Sequence, residues 1–150
     1  MRLGGGSGDS LALRIDRYQF PAIEPSVEDD WDANWLMITG RVGYGDMSWT
    51  FREPCLTAGE AVGLGAWLRR VASAAQVGRL EFTEPLLVFS IVAQDDAGVT
   101  VRVVLAAESV PEAVAAPFEE IALDLWMSRA ELSAAAAAWE AGAAEFPPRG

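Results

Sequence analysis

The chain has no histidine, no lysine and a single cysteine in 150 residues. The absence of histidine excludes a Ser-His-Asp triad and a Cys-His pair, and with them most zinc sites and any imidazole acid or base. One cysteine, Cys55, can close no intramolecular disulfide. Set between Pro54 and Leu56, it reads as a buried structural thiol. No apolar run reaches the length of a membrane span, so no membrane association is expected. There is no phosphate-binding loop or nucleophile motif, and no metal or other cofactor is expected. The N-terminus carries no signal-peptide pattern, and a cytoplasmic protein is expected. Gly4-Gly5-Gly6-Ser7-Gly8 places residues 1–10 in a flexible leader.

All 11 basic residues are arginines, set against 22 aspartates and glutamates, for a net charge of -11. Neutralising phosphates takes clustered positive charge, so this balance argues against direct nucleic-acid binding. It suits a basic protein partner. It also suits no partner at all, since an acidic surface keeps a protein soluble. Apolar residues make up 51% of the chain and aromatics 9%, which rules out global disorder. The length fits one domain, expected over residues 11–147 with a tail at 148–150.

Residues 30–52 form the most informative stretch. Trp35 to Val42 reads as a largely buried strand, Gly43-Tyr44-Gly45-Asp46 as a hairpin turn, and Met47 to Arg52 as its partner. The partner alternates, with Met47, Trp49 and Phe51 on one face and Ser48, Thr50 and Arg52 on the other. An earlier strand is expected at Leu11–Asp16, and Pro54 is expected to end the partner strand. Thr57-Ala58-Gly59-Glu60 forms a capping box for a helix running to about Ala75, with Trp67, Leu68 and Val71 on its apolar stripe. Further strands are expected at Leu80–Glu84, Leu86–Ala93, Val99–Ala107 and Ile121–Trp126. A second capping box, Ser128-Arg129-Ala130-Glu131, opens a final helix carrying Leu132, Ala135, Ala136, Trp139 and Ala143 on one side. The expected fold is α+β: an antiparallel sheet of six or seven strands with two helices, in the order βββαββββα.

Two acidic regions compete as binding surfaces. One holds Glu24, Glu28, Asp29, Asp30 and Asp32, with no basic residue between Phe20 and Gly40; the other holds Glu108, Glu112, Glu119, Glu120 and Asp124. The first is favoured: Glu28, Asp29, Asp30 and Asp32 surround Trp31, and a desolvated tryptophan can anchor an interface that charge alone would not hold. Asp30-x-Asp32-x-Asn34 opens like a calcium loop, but Trp35 stands where glycine is needed and Arg41 where a bidentate glutamate is needed. Other readings remain open. Trp31, Trp35 and Trp49 together would make an aromatic pocket for a small molecule, although strand spacing favours core positions for Trp35 and Trp49. Glu81 with Glu84, or Glu119 with Glu120, would be needed for carboxylate-dependent hydrolysis.

Tyr18-Gln19-Phe20-Pro21, Asp32-x-Asn34-Trp35-Leu36, Trp49-x-Phe51-Arg52-x-Pro54-Cys55-Leu56-Thr57 and Phe82-Thr83-Glu84-Pro85-Leu86-x-x-Phe89, in this order and spacing, resemble the WapI-type immunity proteins. The likeness runs from about Leu13 to Pro147. It implies a small bacterial antitoxin of the cytoplasm. Such a protein binds and occludes the nuclease end of a contact-delivered toxin, of the kind that cuts tRNA, and does no chemistry of its own. The implied partner is therefore a basic toxin domain, which agrees in direction with the acidity of the chain.

Overall fold

The computed structural model describes residues 1–6, 8–20, 31–115 and 120–149. Seven antiparallel strands form two sheets. The four-stranded sheet has β1 (Arg2–Gly4), β2 (Ser10–Tyr18), β3 (Trp35–Tyr44) and β4 (Met47–Thr57) in that order; the three-stranded sheet has β5 (Leu87–Gln94), β6 (Gly98–Ala106) and β7 (Glu120–Ser128). Helix α1 (Ala58–Ala72) joins the sheets, a single turn α2 (Glu112–Ala115) precedes β7, and α3 (Arg129–Ala144) follows it. The α+β class, the two long helices and the count of seven strands are as expected, but the strands divide between two sheets instead of forming one. Strands and long helices run ββββαβββα, not βββαββββα, because a strand is gained before β2 and the one expected at 80–84 is lost.

Four expectations are corrected. First, residues 2–4 are an edge strand rather than part of a leader. Leu3 is fully buried opposite Leu11, and the terminal ammonium donates to the Leu13 carbonyl. Leu3 in the core, Met1 packed against it and the backbone pairing with β2 fix it. Second, residues 80–84 do not form a strand: only Leu80 pairs, with Phe89, through two backbone bonds of 2.8 and 3.0 Å. Thr83 is drawn instead to helix α1, where its amide and hydroxyl donate to Glu60 Oε1 at 2.7 and 2.8 Å. Third, Pro54 does not stop β4. It lies on an edge strand beside a bulge between Leu36 and Met37, where a missing amide hydrogen is tolerated. Fourth, α1 ends at Ala72, not Ala75: Ala74 takes a positive φ of 60°, and the Ala75 amide closes back on the Arg70 carbonyl.

Both capping boxes form as the sequence predicts. Thr57 and Ser128 each accept from the N3 amide while Glu60 and Glu131 reach back. The apolar faces then meet in one core, which takes Leu11, Leu13, Leu36 and Ile38 from one sheet and Phe89, Val101, Leu123 and Leu125 from the other. Trp67 is 7% exposed and stands edge-on to Phe89 at 6.0 Å, while its indole donates to the Gly78 carbonyl. Trp139 donates to the Ala61 carbonyl at 2.7 Å, tying α3 to α1. This leaves an outer face on each sheet. On the four-stranded sheet it carries Arg14, Thr39, Arg41, Thr50 and Arg52.

Candidate functional site

The favoured acidic segment leaves the core at the end of β2 and returns at the start of β3. Residues Glu28, Asp29 and Asp30, with Glu24, lie outside the described residues. Trp31 opens a turn of 3-10 helix, Trp31–Asn34, in which Asp32 is exposed. What the structure does describe is how the two feet of the segment are held.

The C-terminal residues hold them. The Asn34 side chain donates to the Arg149 carbonyl at 2.9 Å and accepts from the Arg149 amide at 2.7 Å, reproducing with one side chain a pair of strand bonds. The Arg149 guanidinium lies 3.3 Å from the centre of the Tyr18 ring and donates to the Phe20 carbonyl. The Tyr18 hydroxyl donates to the Pro147 carbonyl, and its ring stands edge-on to Phe146 at 5.5 Å. The Gln19 amide donates to the Trp35 carbonyl at 2.7 Å. Residues 18–20 and 34–35, which flank the acidic segment, are thus pinned to each other and to one C-terminal strap. Sequence reasoning put Phe146 and Pro147 at the end of the domain and Arg149 in a tail.

Of the second acidic region, Glu108, Glu112, Glu120 and Asp124 are exposed. Strand β7 alternates exposed and buried residues, so Glu120 and Asp124 mark its outer face. Arg102 clamps Asp124 with two bonds of 2.7 and 2.8 Å and holds its carboxyl below the usual range. Glu119 lies outside the described residues. Glu81 pairs with Arg79 at 2.7 Å.

The aromatic pocket is not assembled from Trp35 and Trp49. Trp35 pairs with Thr57 at one end of the β3–β4 ladder, and Trp49 with Val42 near the other. Seven residues of strand separate the two rows, roughly 23 Å at the usual rise. Trp35 belongs to the core, and Trp49 is half-buried with its indole donating to the Ser109 carbonyl. Among the described residues no group of three or more His, Cys, Asp or Glu side chains is placed to hold a metal ion. Cys55 is buried, and burial, reinforced by Glu53, Glu84 and Glu108, pushes its thiol up to about 12. It is no nucleophile.

One cluster was missed from sequence. Alternation along β2 puts Asp16 on the outer face with Arg14, and the bulge between Ile15 and Arg17 leaves it without a partner on β3. There it accepts from Thr39 Oγ1 at 2.6 Å, Arg52 Nε at 2.8 Å and Arg14 Nε at 2.9 Å, with its side chain only 9% exposed. Burial pushes the carboxyl up, but these three donors outweigh burial and hold it below its ordinary value. The alternation in β4 showed that Arg52 points outward. It did not show that Arg14 and Arg41 share that face, because register between strands is not written in either strand alone.

Among protein families, the model of the Immunity protein WapI-like family matches residues 2–147 of the chain. No curated protein and no solved structure matches it.

Proposed function

The chain belongs to the WapI-like immunity protein family, and we propose that it protects by binding and occluding a basic nuclease toxin domain, with no catalysis of its own. The observation that carries this reading is the family match across almost the whole chain. Charge supports the choice of target. A nuclease must hold a polyanion, so its site is basic, and an acidic inhibitor that covers the site gains association rate and specificity from complementary charge. In this reading Glu28, Asp29, Asp30 and Asp32 face the toxin and Trp31 anchors the contact. The bonds at Tyr18–Phe20 and Asn34–Trp35 fix both ends of this segment on the fold. The protein works in the cytoplasm, where the toxin's substrate is. No helix among the described residues is long and apolar enough to cross a membrane.

The test is co-expression. The chain is produced with nuclease-bearing toxin domains recovered with it from its native cell, and growth is followed. Rescue of growth together with a stable complex is the expected result. If the chain forms no complex with such a domain and leaves growth arrested, the proposal fails.

A further inference from the structure

In a chain of net charge -11, three arginines share one patch of one sheet face. Arg14, Thr39 and Arg52 form a cross-strand row over β2, β3 and β4, and Arg41 lies two residues further along β3, diagonal to both flanking arginines. Diagonal neighbours on a sheet lie about 7–8 Å apart, within reach of long side chains. All three arginines are exposed.

Their arrangement is more than proximity. Asp16 engages Arg14 and Arg52 through Nε alone. Among the described residues the Nη atoms of these two guanidiniums donate to nothing, and Arg41 meets no carboxylate. One buried carboxylate therefore orients two forks by their inner edges and leaves their outer edges free, beside a third cation. A guanidinium fork fits an oxyanion bidentately.

We propose that Arg14, Arg41 and Arg52, oriented by Asp16, form an oxyanion-binding site that seats carboxylates of an acidic element on the toxin domain. This deepens the proposed function and rests on it. Two arguments choose a protein carboxylate over a nucleic-acid backbone. Three cations give few phosphate contacts where several are needed for useful affinity, and the -11 charge of the whole chain repels a polyanion more than it repels a local acidic group. Thr39 is four residues along β3 from Trp35, about 13 Å, so the site and the described foot of the acidic segment at Trp31–Asn34 fall within reach of a single interface of ordinary size. A toxin presenting a basic site next to an acidic element then docks in one orientation only, since the reversed pose sets like charges together.

Two measurements test the site. The first needs no toxin: Nε–Hε NMR signals of the full chain are followed during titration with hexaglutamate, with inorganic phosphate and with a hexaribonucleotide at matched ionic strength. Arg14, Arg41 and Arg52 are expected to respond most to hexaglutamate. A stronger response to phosphate or RNA, or no response at these three arginines, overturns the assignment. The second uses a toxin domain against which the wild-type chain restores growth, so that failure of the immunity reading is already excluded. Arg41→Ala, which leaves the Asp16 bonds intact, is expected to weaken the complex about tenfold. Asp16→Asn separates an oriented site from a merely positive one. It makes the patch more positive, so a Coulombic patch binds more tightly, whereas the oriented site binds less tightly. Unchanged affinity in Arg41→Ala, or tighter binding in a folded Asp16→Asn, contradicts the proposal.

Discussion

Asn34 and Arg149 stand 115 positions apart and exchange two hydrogen bonds, so the last described residues of the chain tie down the C-terminal foot of the acidic segment. Asn34→Ala removes both bonds. Each is worth about 0.5–1.5 kcal/mol net, and the variant should lose about 1–3 kcal/mol in urea unfolding. Ending the chain after Phe146 should cost at least as much, since it also removes Arg149 from the Tyr18 ring. Full stability in the truncated chain would show that the strap holds nothing.

Gly40 lies under Phe51. A β-carbon on Gly40 would overlap the Phe51 ring, and the two residues are directly paired across β3 and β4. Phe51 is buried and its ring is hemmed by the core, so it cannot swing clear without cost. Gly40→Ala is expected to destabilise by about 1–3 kcal/mol, the usual range for overpacking. Gly63, which faces open space on α1, is the control: Gly63→Ala should stabilise by roughly 0.5–1 kcal/mol through helix propensity. Thermal unfolding of the two variants checks the pair.

Cys55 should be silent to thiol reagents in the native state. Its thiol is buried and pushed up to about 12, so hardly any thiolate exists at neutral pH. Labelling by a chromogenic disulfide is expected to be slow in buffer and complete in denaturant, with a rate that follows opening of the structure. Rapid stoichiometric labelling of the native protein would contradict the burial of Cys55.

Asp16 gives a pH dependence of known sign. Its carboxyl titrates below the ordinary range in the folded chain, so the folded form binds fewer protons than the unfolded form. The stabilisation from its three donors is present above the unfolded value, about pH 4, and is lost as pH falls through the folded value. Asp16→Asn should therefore be less stable than the parent at pH 7, and the gap should narrow in acid. Comparing urea midpoints of the two proteins isolates Asp16 from the other carboxylates.

Local signals were legible in the sequence, and long-range ones were not. Thr57 with Glu60 and Ser128 with Glu131 announce their helix starts because the capping interaction spans three residues. Alternation in β7 placed Leu123 and Leu125 inward, and so put Trp126 outward, where it is 58% exposed. The division into two sheets was not legible, since a strand's own residues do not name its neighbours. Nor was β1, whose single buried side chain, Leu3, gives no periodicity to read. Thr83 misled because its preferred partner, Glu60, was already accounted for as a helix cap and has a second oxygen to offer. At the candidate site the acidic segment was plain from composition, whereas the Asn34–Arg149 strap and the Asp16 cluster depend on residues brought together by folding.

The central claim is that the segment carrying Glu28, Asp29, Asp30 and Asp32 steers this immunity protein onto a basic toxin. The most direct measurement is the association rate constant of the variant carrying Glu28→Gln, Asp29→Asn, Asp30→Asn and Asp32→Asn with a toxin domain neutralised by the parent chain, taken at low and at high salt. Neutralising adjacent like charges removes mutual repulsion, so the variant should fold as the parent does. Its association is expected to be slower by at least about tenfold at low salt, with the difference shrinking as salt screens the field. An association rate equal to the parent's at low salt would contradict the claim and remove this segment as the binding surface.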